Sequence, residues 1–122
     1  MILRVHHAQI TIPRGEEDKC RGFYCGVLGL SEIPKPASLK ERGGFWLELG
    51  GLQIHIGTED IDRSLSKAHL AYEVDNLASW RMRLQSAGIK VLVAVSIPDY
   101  HRFEFRDPFG NRVEFLERSS NT

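Results

Sequence analysis

The stretch 5-VHHAQITIP-13 decides how the rest of the chain is read. As a strand it sends Val5, His7, Gln9 and Thr11 to one side and His6, Ala8, Ile10 and Ile12 to the other, because strand side chains alternate. From Ala8 onward the even side is apolar and suits a core. The odd side carries an imidazole, an amide and a hydroxyl in succession. Such a row is either the wet face of a sheet or the wall of a site, and the sequence beyond it has to choose.

Immediately downstream, residues 16–28 place Cys20, Phe23, Tyr24, Val27 and Leu28 at helical spacing, so an amphipathic helix is expected there. Glu16, Glu17 and Asp18 suit its first turn and Gly29 its end. The turn-rich 34-PKPASLKERGG-44 reads as an exposed loop. Strands are expected over 45–49 and 52–56, joined by the Gly50-Gly51 turn, and the polar 57–67 reads as a linker. The pattern then restarts. A strand at 69–74 precedes a helix over about 77–87, which Asp75 or Asn76 caps and Gly88 ends. Strands at 90–95, 101–106 and 112–116 follow, the last two joined by the tight turn 107-DPFGN-111.

The chain thus reads as strand, helix and three strands, twice, within a single domain of 122 residues, with modules at 1–57 and 68–117. His7 falls on His69 at an offset of 62 residues, and His55 falls on Glu114 at an offset of 59. A three-residue shortening around the second helix reconciles the two. If the helices cover the apolar faces, His7, His55, His69 and Glu114 all project from the opposite side. Three imidazoles and a carboxylate suit a divalent transition ion. An antiparallel sheet with one solvated face shows the same alternation without any site, and both readings stand at this level. Strand parity adds Gln9, Trp46, Arg102 and Arg106 as candidate substrate contacts, the two arginines able to grip a carboxylate through paired N–H groups.

Composition excludes other classes. Sixteen basic and sixteen acidic residues give a formal net charge of +0, with no Lys/Arg cluster to bind nucleic acid. No apolar run is long enough to span a membrane and the start has no signal-peptide pattern, so a cytoplasmic location is expected. Cys20 and Cys25 have neither a redox nor a zinc spacing and read as packing residues.

The stretches 7-HAQITIP-13, 22-GFYCGVLGL-30, 54-IHI-56, 69-HLAYEV-74 and 107-DPFGNRVEF-115 together resemble the vicinal oxygen chelate superfamily, the glyoxalase, bleomycin-resistance and extradiol-dioxygenase group. The resemblance implies an α+β fold in which two βαβββ modules form a U-shaped cup. It also implies a metal held by His7, His55, His69 and Glu114, with zinc, nickel, manganese, cobalt or iron as the candidates. His55 and Glu114 become the catalytic candidates, although His55 departs from the glutamate that glyoxalase I carries in this slot. Glu48 is a weaker alternative as base. An ion with an open coordination position would act as a Lewis acid on a small substrate chelated through neighbouring oxygens, which fits lyase or isomerase chemistry. A ring-cleaving dioxygenase, a thiol transferase acting on an antibiotic and a metal-free drug-binding module are the alternatives. A homodimer is expected, since family members commonly pair.

Overall fold

A computed structural model of the chain describes residues 1–120. The element order repeats. β1 (His7–Ile12), α1 (Glu17–Arg21), β2 (Ser31–Ile33), β3 (Phe45–Leu49) and β4 (Leu52–Thr58) are followed by β5 (His69–Glu73), α2 (Leu77–Ser86), β6 (Val91–Val93), β7 (Tyr100–Arg106) and β8 (Arg112–Arg118). The chain divides into two compact units between Ile61 and Asp62, inside the stretch that reads as a linker. No helix among the described residues is long and apolar enough to cross a membrane.

In the first unit the strand order is β1-β4-β3-β2, with β1 parallel to β4 and the other pairs antiparallel. The inward residues Ile12, Phe45, Leu47, Ile54 and Ile56 are at most 2% exposed, and Cys20, Phe23 and Tyr24 of the helical segment are buried as well. The even side of the opening stretch is therefore core, by the alternation that puts Ile54 and Ile56 on the same side of β4. Cys20 is buried, as a packing residue would be, and Cys25 is half-buried.

Three details of this unit depart from the sequence reading. The helix expected over 16–28 is α-helical only to Arg21, and a π-helical segment (Gly22–Val27) continues it. There the Leu28 N–H reaches back five residues to the Phe23 carbonyl at 2.9 Å. A strand that the sequence reading did not place, β2 (Ser31–Ile33), follows the helical segment and is too short to show a period of two. The stretch 34–44 is not a bare loop, since Ala37–Arg42 forms a 3₁₀ helix. Gly44 then crosses β4 so closely that a Cβ would lie 1.9 Å from the Ile56 carbonyl oxygen, and its φ is +81°. Only glycine fits there, and the crossing pins the segment against the sheet.

The second unit has the same topology, β5-β8-β7-β6, with β5 parallel to β8. Its core is Tyr72, Leu84, Phe103, Phe105, Val113 and Phe115. Phe115 takes edge-on contacts from Trp80 at 5.3 Å and Phe105 at 5.2 Å. Asn76, not Asp75, caps α2, its side chain accepting the Ser79 N–H at 3.1 Å. In the 107–111 turn the buried Asp107 accepts the N–H groups of Phe109 and Asn111, each at 2.9 Å.

Register makes the internal repeat explicit. Gln9 lies opposite His55 in the β1–β4 pair, and Ala71 lies opposite Glu114 in the β5–β8 pair. These are the offsets of 62 and 59 read from the sequence, so His55 and Glu114 occupy the same backbone slot of their respective sheets.

Candidate functional site

Each unit turns one sheet face away from its core, and the predicted residues lie on those faces as pairs. In the first unit, His7 from β1 and Trp46 from β3 flank His55 on β4. The His55 ring stacks on Trp46 at 3.9 Å with 2° between the planes, and on His7 at 4.0 Å with 14°. Both faces of the imidazole are covered, which explains why a residue on the polar side of its strand is only 6% exposed. Gln53 Oε1 accepts from His55 Nε2 at 2.9 Å, which puts the ring proton on Nε2 and leaves Nδ1 as the lone pair. His6 Nδ1 and His7 Nδ1 are 3.0 Å apart, so one of the two carries the proton between them.

Burial lowers the pKa of His55 below its ordinary 6.5, and the nearby His7, His6 and Lys35 lower it further. His55 is accordingly neutral at pH 7, the state in which an imidazole binds a metal or accepts a proton. A cavity of about 340 Å³ opens beside it. The sheet supplies Gln9, Trp46, His55, Ile56, Gly57 and Thr58 as lining, and the segment between β2 and β3 supplies Lys35, Leu39, Arg42 and Gly43. Gln9 and Trp46 thus fall where strand parity put them. Glu48, the weaker base candidate, is exposed and does not line this cavity.

In the second unit, His69 opens β5 and Glu114 lies on β8. His69 Nδ1 is 3.0 Å from the Lys67 carbonyl, an acceptor only, so Nδ1 donates and Nε2 keeps its lone pair. That nitrogen is 3.7 Å from Oε1 of Glu114, whose side chain is 8% exposed. Arg102 Nη1 donates to the same Oε1 at 2.8 Å, and its Nε donates to the Val95 carbonyl at 2.8 Å. Arg106 has a different fate. Its Nη1 reaches the carbonyls of Ser66, Gly110 and Arg63 at 2.9, 3.1 and 3.4 Å, tying the 63–66 turn to the 107–110 turn. The substrate contact expected of Arg106 is therefore replaced by a backbone clamp. Glu104, opposite Glu114 in the register, pairs with Arg112 at 2.6 Å.

The donor chemistry suits a divalent transition ion. His69 has the tautomer of a histidine ligand, with Nδ1 held by a backbone carbonyl and Nε2 open. Beside it lies a buried carboxylate, and His55 is neutral with an open Nδ1. Among the described residues no group of three or more His, Cys, Asp or Glu side chains could hold an ion.

Sequence reasoning missed Lys35 and Arg42, which sit in the stretch that reads as an exposed loop. The one available signal was the Gly43-Gly44 pair, since adjacent glycines mark a close backbone approach.

The family model described as the Glyoxalase/Bleomycin resistance protein/Dioxygenase superfamily matches residues 4–115. A structure described as a glyoxalase family protein from Bacillus anthracis is 40% identical, with 98% of each chain covered and a TM-score of 0.89. The fosfomycin resistance protein FosX from Listeria monocytogenes, solved with manganese(II) and sulfate, superposes with a TM-score of 0.79 at 15% identity, covering 98% of this chain and 93% of that one. A lactoylglutathione lyase from Agrobacterium tumefaciens gives 0.70 at 19% identity, over 93% and 92% of the two chains. No curated protein matches the sequence.

Proposed function

We propose that this chain, which belongs to the glyoxalase/bleomycin resistance protein/dioxygenase superfamily, is a metal-dependent lyase or isomerase of the glyoxalase type acting on a small substrate chelated through neighbouring oxygens. In this reading His7, His55, His69 and Glu114 are the candidate ligands for a divalent transition ion. The observation that carries it is the second-unit pair. His69 Nδ1 is fixed by the Lys67 carbonyl, its Nε2 lone pair faces a buried carboxylate, and the same two backbone slots of the first unit hold His7 and His55. When bound, the ion would supply Lewis-acid polarisation of a substrate oxygen.

The chain's own residues supply the rest. His55, neutral and held in one orientation between Trp46 and His7, has a single lone pair, at Nδ1, so it takes a proton there only in a state in which it does not ligate the ion. Gln53 fixes the tautomer that makes this possible. Arg102 holds Oε1 of Glu114, the oxygen nearest His69 Nε2, and so competes with an ion for it. The manganese-bound resistance protein that shares the fold supports a metal-assisted reaction in general, and the substrate does not follow from it. We also read the chain as a homodimer, supported by the exposed Ile2, Leu3 and Val5 beside β1.

The test is metal content by elemental mass spectrometry on untagged protein, beside a His69→Ala/Glu114→Gln variant checked for folding by circular dichroism. About one equivalent of zinc, nickel, manganese, cobalt or iron in the parent, lost in the folded variant, is expected. No stoichiometric metal after reconstitution with each ion would overturn the enzyme reading in favour of a binding module.

A further inference from the structure

We propose that the first-unit cavity is an anion pocket, in which Lys35 and Arg42 take the oxyanion of a small unsaturated substrate whose body lies against Trp46. The inference rests on the enzyme reading for its biological role, but not for its physics, since every residue it uses lies in the first unit.

Charge on the cavity wall is the main argument. Two cationic side chains line it, and no carboxylate does. Elsewhere in this unit arginines facing acids are paired with them: Arg14 with Asp60 at 3.8 Å, Arg21 with Glu32 at 2.8 Å and with Asp18 at 2.9 Å. Among the described residues Lys35 reaches only the Gly43 carbonyl, which leaves two of its ammonium protons for another acceptor. Arg42 has no side-chain partner among the described residues, and only its backbone carbonyl is engaged, by Thr58 Oγ1 at 3.4 Å. A wall with two cations and no lining carboxylate favours an anionic guest, most at the half-buried Lys35, since Arg42 is exposed and also borders an adjoining pocket that holds Glu17 and Glu41.

The pocket is also built. Gly43 and Gly44, with φ of +76° and +81°, let the segment bearing Lys35 and Arg42 close down on β4, where the Gly44 crossing holds it. The floor is shaped by a third glycine: at Gly57 a Cβ would lie 3.1 Å from the Gln9 amide, so glycine lets that amide lie across the strand. Gln9 then offers both a donor and an acceptor on the same cavity wall that Trp46 lines. The arrangement combines an oxyanion grip, an amide and an aromatic surface within about 340 Å³, the size of a small-molecule site.

Benzoate and phenyl phosphate serve as anionic probes, with benzamide as the neutral isostere. Each is titrated into chelator-treated, nitrogen-15-labelled protein while the indole N–H resonance of Trp46 is followed. Both anions are expected to shift that resonance saturably and to weaken as salt is raised, and benzamide is expected to bind about tenfold more weakly. The ratio of the two anions tells carboxylate from phosphate preference. Lys35→Gln and Arg42→Gln should each weaken the anions about five- to tenfold and leave benzamide unchanged. Equal binding of benzamide, no shift with any probe at 10 mM (roughly the weakest affinity of interest), or benzoate binding that survives Lys35→Gln/Arg42→Gln would each overturn the inference. Anion binding that appears only after metal is restored, and survives the double variant, places the anion on the metal and also overturns it. The metal measurement above can fail while this one succeeds, so the two readings are separable.

Discussion

Removing Arg102 should expose what the Glu114 carboxylate depends on. The guanidinium Nη1 lies 2.8 Å from Oε1, with the two side chains 18% and 8% exposed. With charge centres about 4 Å apart and an effective dielectric near 20, the gross attraction is about 4 kcal/mol. Desolvation of both groups offsets part of it. Arg102→Met leaves a buried carboxylate without its cation. A fully buried pair would lose about 3–5 kcal/mol on such a truncation, and the partial exposure of Arg102 lowers the expectation to about 2–3 kcal/mol. Glu114→Gln keeps an oxygen that accepts from Arg102 and loses only the charge, so it should cost about 1–2 kcal/mol. The double variant removes both charges together, and the coupling in the cycle is expected at about 1.5–3 kcal/mol. Urea unfolding at fixed salt measures all four proteins, with an unchanged m-value as the check on two-state behaviour. A coupling below about 0.5 kcal/mol, the size of an exposed pair, would refute the reasoning. The same variant bears on the metal. Arg102 puts a positive charge on the oxygen nearest His69 Nε2, so zinc should raise the melting temperature more in Arg102→Met than in the parent. A larger rise in the parent would mean that Arg102 positions Glu114 for the ion and does not compete with it.

Other perturbations test the frame around the site. Gly44→Ala should cost about 3–4 kcal/mol from the left-handed backbone and the 1.9 Å approach to Ile56. Gly50→Ala, at φ +60° with open space around it, should cost only about 1 kcal/mol. Urea titrations that find the two equal would remove the crossing from the account. The His55 pKa is lowered on folding, so the unfolded chain binds the extra proton, and His55 lowers stability as pH falls below 6.5 until the folded imidazole also protonates. His55→Phe, which keeps the stack, should flatten that acid arm, as unfolding measured between pH 7 and 5 will show. The buried Tyr72 hydroxyl has its pKa pushed up to about 12. Its contribution is complete below pH 10 and is lost as pH rises toward 12, about 2–3 kcal/mol in all. Tyr72→Phe should abolish this alkaline loss. Asn76→Ala removes the cap on α2 and should cost about 1 kcal/mol in the same assay.

Much of the site was legible because it lies on strands. Parity put His7 and Gln9 away from the core and Ile54 and Ile56 within it, and a period of two leaves no third option. The repeat then assigned His55 and Glu114 to one backbone slot, which the registers Gln9–His55 and Ala71–Glu114 reproduce. Where period was absent, the reading ran out. Ser31–Ile33 is too short to alternate, and residues 34–44 carry no stripe, so the half-buried Lys35 passed for a solvent-exposed loop residue and the exposed Arg42 was not read as lining a cavity. The helix beginning at Glu17 had the right apolar spacing, but the switch to π-helical bonding at Gly22 changes the ring closure without changing that stripe.

What the sequence determined by itself is the set of local choices: which residues alternate, where glycine and asparagine end or cap an element, and that the pattern occurs twice. Those follow from backbone geometry acting over a few residues. The tertiary structure decided the partners. Arg102 and Arg106 have the same parity on one strand, yet one meets Glu114 on β8 and the other three carbonyls in the flanking turns. His55 is an ordinary polar-face histidine in the sequence. It becomes a buried, neutral one only because β1 and β3 bring His7 and Trp46 against its two faces. Burial and electrostatics depend on neighbours tens of residues away, and only the folded chain brings those neighbours together.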